Sequence, residues 1–357
     1  MDLFACDWKK HGEVLTPSKQ WEGNRIQNFT STVDPIGENQ WRLWYSVNWP
    51  NHYNIAVAHG SPEHGWTKSP AHLSASSPQD RPLSIGNLPK GWRPIQPVYL
   101  KLQDGCHRLY FWAHGPNVVR YLAANSDDGH RFEVVDPARP CLYHPNDRAV
   151  VASTIPGLTP HKIEQDTKPI SERSADAALI CNDATTVYQL DDGTFELYSV
   201  TLKPIRQDDP GYVSYDNAVG WRRVIVRWAS EDGLQWGQRT EVLMPDAYDP
   251  PDLQFYYLSV THTPKGRVGL LGHYRVQAQT IDMECCFSAD GLTWERPYRN
   301  SSLGRKSNQF MHYPPRKIIL ANDQWWLFYT EANYKHNHSF SAGPEKSVIK
   351  LATTKAY

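Results

Sequence analysis

The sequence predicts an all-β chain, a five-bladed β-propeller of four-stranded antiparallel blades, on three observations. A Ser-x-Asp-Gly-x-x-Trp signature recurs along it, a second tight turn lies upstream in each unit, and an aromatic strand follows that turn. The signature is complete at Ser230–Trp236 and Ser288–Trp294, carries Phe for Trp at Ser126–Phe132, and is worn at Ser61–Trp66. Asp-Gly supplies the positive φ of a tight hairpin, the Ser and Asp side chains can accept backbone amides, and the aromatic can anchor the outer strand on a neighbouring sheet.

Each signature follows a β-rich run such as Val119–Ala123 or Arg223–Trp228. The upstream turns are Ile36–Asn39, Gln103–Gly105, Asp191–Gly193, Pro264–Gly266 and Ala321–Asp323. The strands after them are Trp41–Tyr45, Arg108–Trp112, Phe195–Tyr198, Val268–Leu271 and Trp325–Tyr329. The unit is therefore strand, tight turn, strand, longer loop, strand, signature turn, strand, and five copies fit the chain, the spacing of a propeller rather than a sandwich. The last unit ends in Val348–Thr354 without a fourth strand, which Gly12–Leu15 is expected to supply. The expected organisation is one domain over residues 1–357, with insertions near 137–178 and 204–220. Long loops on a rigid scaffold usually serve binding.

Lys plus Arg number 37 and Asp plus Glu 38, a net charge of -1 that argues against a nucleic-acid or membrane-surface partner. The 14 Trp and 19 Tyr suit wide sheet cores and also sugar stacking, and most are expected to be structural. Among the six cysteines no C-x-x-C pair occurs, so reduced thiols are expected rather than a disulfide framework. Met1 to Val14 holds no apolar signal region, and no run approaches the roughly 18 apolar residues of a membrane helix, so a cytoplasmic protein is expected. No cofactor or metal is expected; His336-Asn337-His338 has a spacing that fits a solvated loop better than a metal site.

Five units with these hairpins resemble the five-bladed β-propeller glycosidase superfamily, which includes invertase-like, arabinanase-like and anhydrogalactosidase-like enzymes and mannoside phosphorylases. The likeness spans essentially the whole chain, is architectural, and marks a distant member. It implies a funnel at one end of the axis, lined by the starts of the innermost strands, with carboxylates from the first three blades. Here the third blade begins Cys181-Asn182-Asp183-Ala184-Thr185, with an acid. The first begins Asn24-Arg25-Ile26-Gln27-Asn28-Phe29 without Asp, and the second begins Trp92-Arg93-Pro94-Ile95-Gln96-Pro97, with Gln96 where an acid is expected. The usual carboxylate trio is not present, so the usual mechanism does not simply carry over.

Topology narrows the site independently. The start of each first strand and the end of each second strand share a rim, because the hairpin between them lies at the other. Asn28, Gln96, Asp183, Asp252 and His312 come to this rim from first strands; Trp49, His114, His273, Arg275 and Glu331 come from second strands. Each has a plainer alternative. Asp183 can be a turn residue, Asp252 a cap after Pro250-Pro251, Arg275 the partner of a nearby acid, Trp49 a packing residue, and each His a structural one.

The leading expectation is a glycoside hydrolase acting on an oligosaccharide or polysaccharide-derived substrate, with Asp183 and Glu331 as the carboxyl pair and Asp252 as a third. Asn28, Trp49, Gln96, His114, His273, Arg275 and His312 are expected to bind substrate. Two alternatives stand beside it. A polysaccharide lyase or His-assisted glycosidase would use a His base, with Arg275 neutralising a uronate. A non-catalytic carbohydrate-binding propeller would use the aromatic surface alone.

Overall fold

A computed structural model describes residues 8–38, 40–49, 52–69, 83–115, 118–143, 179–180, 184–237, 239–299, 303–337 and 345–356. They are all-β, with no α-helix among them. The strands fall into modules of one antiparallel pattern. In the first, Val33–Gly37 pairs with Gln40–Trp49, which pairs with His52–Ser61 and then Gly65–Ser69. In the second the order is Arg93–Lys101, His107–Gly115, Val118–Ser126 and Phe132–Val134. In the third it is Thr186–Gln189, Phe195–Pro204, Trp221–Ser230 and Thr240–Leu243.

The fourth module runs Leu253–Thr263, Gly266–Arg275 and Thr280–Ser288, and its outer strand shrinks to a bridge between Phe287 and Glu295. The last module has a first strand in two pieces, Met311–Tyr313 and Ile319–Ala321, then Gln324–Ala332 and Ser347–Lys355. Its fourth strand is N-terminal: Lys9–Leu15 lies antiparallel on Ser347–Lys355. One parallel pair, Ile281 with Met311, joins these last two modules into a single hydrogen-bonded sheet.

The signature turns form as their chemistry requires. In Ser230–Trp236 the Gly233 amide donates to Ser230 Oγ (2.9 Å), and the amides of Leu234 and Gln235 donate to Asp232 Oδ1 (2.7 and 2.8 Å). The same bonds recur around Ser288 and Asp290 and around Ser126 and Asp128. The glycine that follows each Asp has φ of +72°, +70° or +79°, which side-chain-bearing residues rarely adopt.

Each signature aromatic docks on the preceding module. Phe132 meets Trp44 and Trp294 meets Tyr198, both edge-on at 5.9 Å, and Trp236 packs in a cluster with Tyr110. Trp66 of the first module meets Phe328 of the last, again edge-on at 5.9 Å. The first strands are linked in the same sequence. Thr32 Oγ1 donates to Tyr99 O, Ala184 N to Gln96 Oε1, Thr186 Oγ1 to Leu258 O, Val260 N to Arg316 O, and Arg316 N to Ser31 O.

The core accordingly lies between modules rather than at one centre. One cluster joins Trp44 and Val57 to Leu109 and Phe111; another joins Trp112 and Tyr121 to Leu197 and Trp228; a third joins Leu15, Trp41 and Leu43 to Phe328 and Leu351. Trp44, Trp112, Trp228 and Trp236 are fully buried, which accounts for much of the aromatic content. Cys106, Cys141, Cys285 and Cys286 are free thiols. Cys6 and Cys181 lie outside the described residues, as does the 137–178 insertion beyond Tyr143.

Candidate functional site

The same irregularity lies near the start of the first strand in three successive modules. Thr30, Gln96 and Ala184 are non-glycine residues with φ of 54°, 58° and 54°. A left-handed residue of this kind costs about 1–2 kcal/mol and persists only where its surroundings impose it. Here the amides are captured: Thr30 N donates to Pro314 O (3.0 Å), Gln96 N to Ser46 Oγ (2.7 Å) and Ala184 N to Gln96 Oε1 (3.1 Å). In the fourth module the register slips between Phe255 and Leu258, at Tyr256 and Tyr257. Phe29 packs against Tyr313, Tyr257 and Tyr256, with ring centroids 4.6, 5.4 and 6.1 Å apart, so aromatic side chains from three modules meet beside these strand starts.

Two of the sequence-derived rim residues serve the seams between modules. Asn28 is buried, donates from Nδ2 to Phe328 O (2.9 Å) and accepts from Thr330 Oγ1 (2.7 Å). Gln96 accepts the Ala184 amide. Asp183, next to Ala184, lies outside the described residues, and Trp49 ends the second strand of the first module.

The other candidates, apart from His114, lie against polar partners. Arg275 donates from Nε (3.0 Å) and Nη2 (2.7 Å) to Asp252 Oδ1, and the Gln277 amide takes Oδ2 (3.1 Å). This contact occupies the guanidinium that a lyase would direct at a uronate. Glu331 accepts Lys350 Nζ and Gln309 Nε2, each at 2.5 Å, and stands 3.5 Å from His312 Nε2. Burial pushes its pKa up, but the Lys350 ammonium and the nearby His312 ring outweigh that and hold it at about 2. His273 lies 3.6 Å from Glu284, whose carboxylate is bound by Arg296. His114 packs on Tyr53 with ring centroids 4.8 Å apart.

A second polar cluster at this rim was not evident from the sequence. It is centred on Arg223, buried at the start of the third module's third strand. Arg223 Nη1 donates to Asp216 Oδ2 (2.9 Å) and to Gln254 Oε1 (2.6 Å), and Nη2 donates to Asn217 Oδ1. Its guanidinium lies 5.4 Å from the Tyr256 ring and 5.0 Å from the Tyr274 ring. Asp216 Oδ1 accepts the Tyr274 hydroxyl (2.9 Å) and Asn337 Nδ2 (3.1 Å), and His336 Nε2 meets the Tyr256 hydroxyl at 2.7 Å. Asp216 and Asn217 come from the 204–220 insertion, Gln254, Tyr256 and Tyr274 from the fourth module, and His336 and Asn337 from the last. The sequence signals were the insertion itself and the His336 loop. Among the described residues no group of three His, Cys, Asp or Glu side chains is placed to hold a metal ion, and His338 lies outside them.

These histidines set a pH dependence. Burial, reinforced by the charge of Arg93, Arg296 and Arg223 respectively, lowers the pKa of His114, His273 and His336 to about 4 each. The unfolded value is about 6.5, so between pH 6.5 and 4 the unfolded chain takes up protons that the folded chain refuses. Stability is therefore complete above pH 6.5 and falls toward pH 4, by about 1–3 kcal/mol for each histidine. Thermal melts across this range are expected to show a falling Tm, partly flattened in His336→Gln. A Tm constant from pH 7 to pH 4.5 would contradict the burial of these rings.

No protein-family profile and no curated protein matches the sequence. Solved structures do. A glycoside hydrolase is similar over 98% of this chain and 92% of its own, at 14% identity and a TM-score of 0.62. By fold, the chain is similar to solved glycoside hydrolases. An N-acetylgalactosamine deacetylase from F. plautii, in complex with blood group B trisaccharide, matches over 98% and 96% of the two chains (14% identity, TM-score 0.60). An α-L-arabinofuranosidase from Podospora anserina, in complex with cellotriose, matches over 99% and 98% (11% identity, TM-score 0.56). At these identities the likeness is one of fold.

Proposed function

We propose that the chain is a glycoside hydrolase, a single five-bladed β-propeller that takes an oligosaccharide or polysaccharide-derived substrate at the rim where its first strands begin. The blade count is supported by the closed circuit of first-strand hydrogen bonds and by the docking of Trp66 on Phe328. The observation that carries the function is the convergence of strained strand starts, aromatic rings and polar side chains from several modules at that one rim. The third strained residue, Ala184, directly follows Asp183. The similar solved structures include sugar-bound proteins.

Hydrolysis needs one carboxyl group that carries a proton and one that is ionised. Glu331, held at about 2, is ionised at neutral pH and suits the role of base or nucleophile. The proton-carrying role falls to Asp183. Asp252 has both oxygens engaged and acts by fixing Arg275. Asp183→Asn is expected to lower kcat by about 10²–10⁴-fold while leaving Tm and sugar binding intact. A variant retaining wild-type turnover would remove Asp183 from the mechanism. A second reading, sugar binding without catalysis, is favoured by the cations that pair Asp216, Asp252 and Glu331. Binding of a glycan that the protein never cleaves would select it.

A further inference from the structure

The opposite face of the molecule, where the first-to-second-strand hairpins turn, holds a cavity of about 1330 Å3 lined from all the modules, among them by Arg42, Lys101, Tyr188, Thr261, Arg316 and Lys317. Arg316 is fixed deep in it. Its backbone N donates to Ser31 O (2.8 Å), and its carbonyl accepts the Tyr188 hydroxyl (2.5 Å) and Val260 N (3.1 Å), so three other modules grip this residue. Its side chain is 6% exposed, donates from Nη1 to Val187 O (3.1 Å) and lies 5.1 Å from the Tyr188 ring.

The cations here exceed their partners. Arg316 Nε is buried with no hydrogen-bond partner among the described residues, and so is Arg42 Nε. Arg42 stacks 4.1 Å over the Tyr99 ring and reaches Asp34 only at 3.5 Å. Lys317 has no hydrogen-bond or ion-pair partner among the described residues; the charge of Arg316 first, and burial second, lower its pKa to about 8. Asp34 is the carboxylate that faces these three cations. Asp191 and Asp192 also line the cavity but lie in an exposed hairpin turn, where Asp192 is bound by Thr194. Arg267 is already paired with Glu196.

Like charges gathered in a partly enclosed space repel, and buried guanidinium donors left unpaired cost free energy, unless an anion completes the site. A planar guanidinium fork beside a point-charge ammonium suits a tetrahedral oxyanion. We propose that this cavity binds phosphate or sulfate, free or carried on a small molecule, through Arg316, Lys317 and Arg42. The site lies at the face opposite the glycoside rim and does not depend on the function proposed there.

Calorimetric titration and thermal melts with inorganic phosphate, inorganic sulfate and glucose 6-phosphate, at an ionic strength matched with sodium chloride, test it. Saturable binding with a raised Tm is expected, and Lys317→Gln and Arg42→Gln should each weaken it by about tenfold. Glucose 6-phosphate binding more tightly than phosphate would identify an organic ligand, and equal binding the free ion, both in support. Arg316 supports the fold, so the variants at the half-buried Lys317 and Arg42 carry the test. Oxyanions that bind no better than chloride, or that bind Lys317→Gln and Arg42→Gln as they bind the wild type, would overturn the proposal.

Discussion

Removing residues 1–15 is expected to destroy the cooperative fold. Lys9–Leu15 is largely exposed, so its contribution does not come from a large apolar face. It comes from pairing along Ser347–Lys355, from Lys9 opposite Thr353 to Leu15 opposite Ile349, and from Leu15 itself, buried against the last and first modules. Burying one Leu is worth about 2 kcal/mol, and each ladder hydrogen bond about 1 kcal/mol net. The sum, roughly 5 kcal/mol or more, is comparable to the whole stability of many domains. The deletion also bares Ser347–Lys355 as an edge strand ready to pair with another chain. Circular dichroism melts and light scattering should show early, aggregating unfolding. A peptide of residues 8–16 added in trans should restore part of the lost Tm, whereas a truncated protein that melts like the intact chain would show the strand to be dispensable.

Arg223→Met is expected to cost about 3–5 kcal/mol, the usual result of stripping one partner from a buried ion pair. Asp216 would keep the Tyr274 and Asn337 bonds but lose its counter-charge, and Gln254 Oε1 would lose its guanidinium donor. The contacts to the Tyr256 and Tyr274 rings would go as well, a further 0.5–2 kcal/mol or so. The double variant Arg223→Met/Asp216→Leu should recover much of the loss, because a buried pair replaced by apolar groups is often near neutral. Denaturant titration of the two variants checks this. If Arg223→Met costs under about 1 kcal/mol, the Arg223–Asp216 pair does not stabilise the fold. If the double variant recovers stability without recovering sugar binding, the cluster acts in recognition as well as in folding.

The turns and strands were legible because their chemistry is local. Asp-Gly dictates its own φ, and Ser and Asp accept amides two and three residues away, so Ser230–Trp236 announces its hairpin without the rest of the molecule. The missing partner of Ser347–Lys355 was legible from the repeat, which leaves one strand too few at one end and Gly12–Leu15 at the other. The rim followed from topology.

What fills the rim is different, because partners there are set by register between distant segments. Glu331 looks available in sequence, yet sheet pairing puts Lys350 beside it. Asp252 and Arg275 face each other only because the fourth module's first two strands align Leu253 with Arg275. Asp216 depends on how the 204–220 insertion folds back on Arg223 and Tyr274, and nothing in its own sequence fixes that path. Excess cation at the opposite face was equally hidden, since Arg42 and Arg316 are 274 positions apart in the chain.

The most direct test of the central claim is incubation of the protein with a panel of plant, algal and bacterial glycans, reading new reducing ends and the ultraviolet absorbance of unsaturated uronates together. Reducing ends without absorbance are expected on at least one glycan, and their loss in Asp183→Asn. Absorbance rising with the reducing ends, or a bound glycan that stays uncleaved, would contradict the claim.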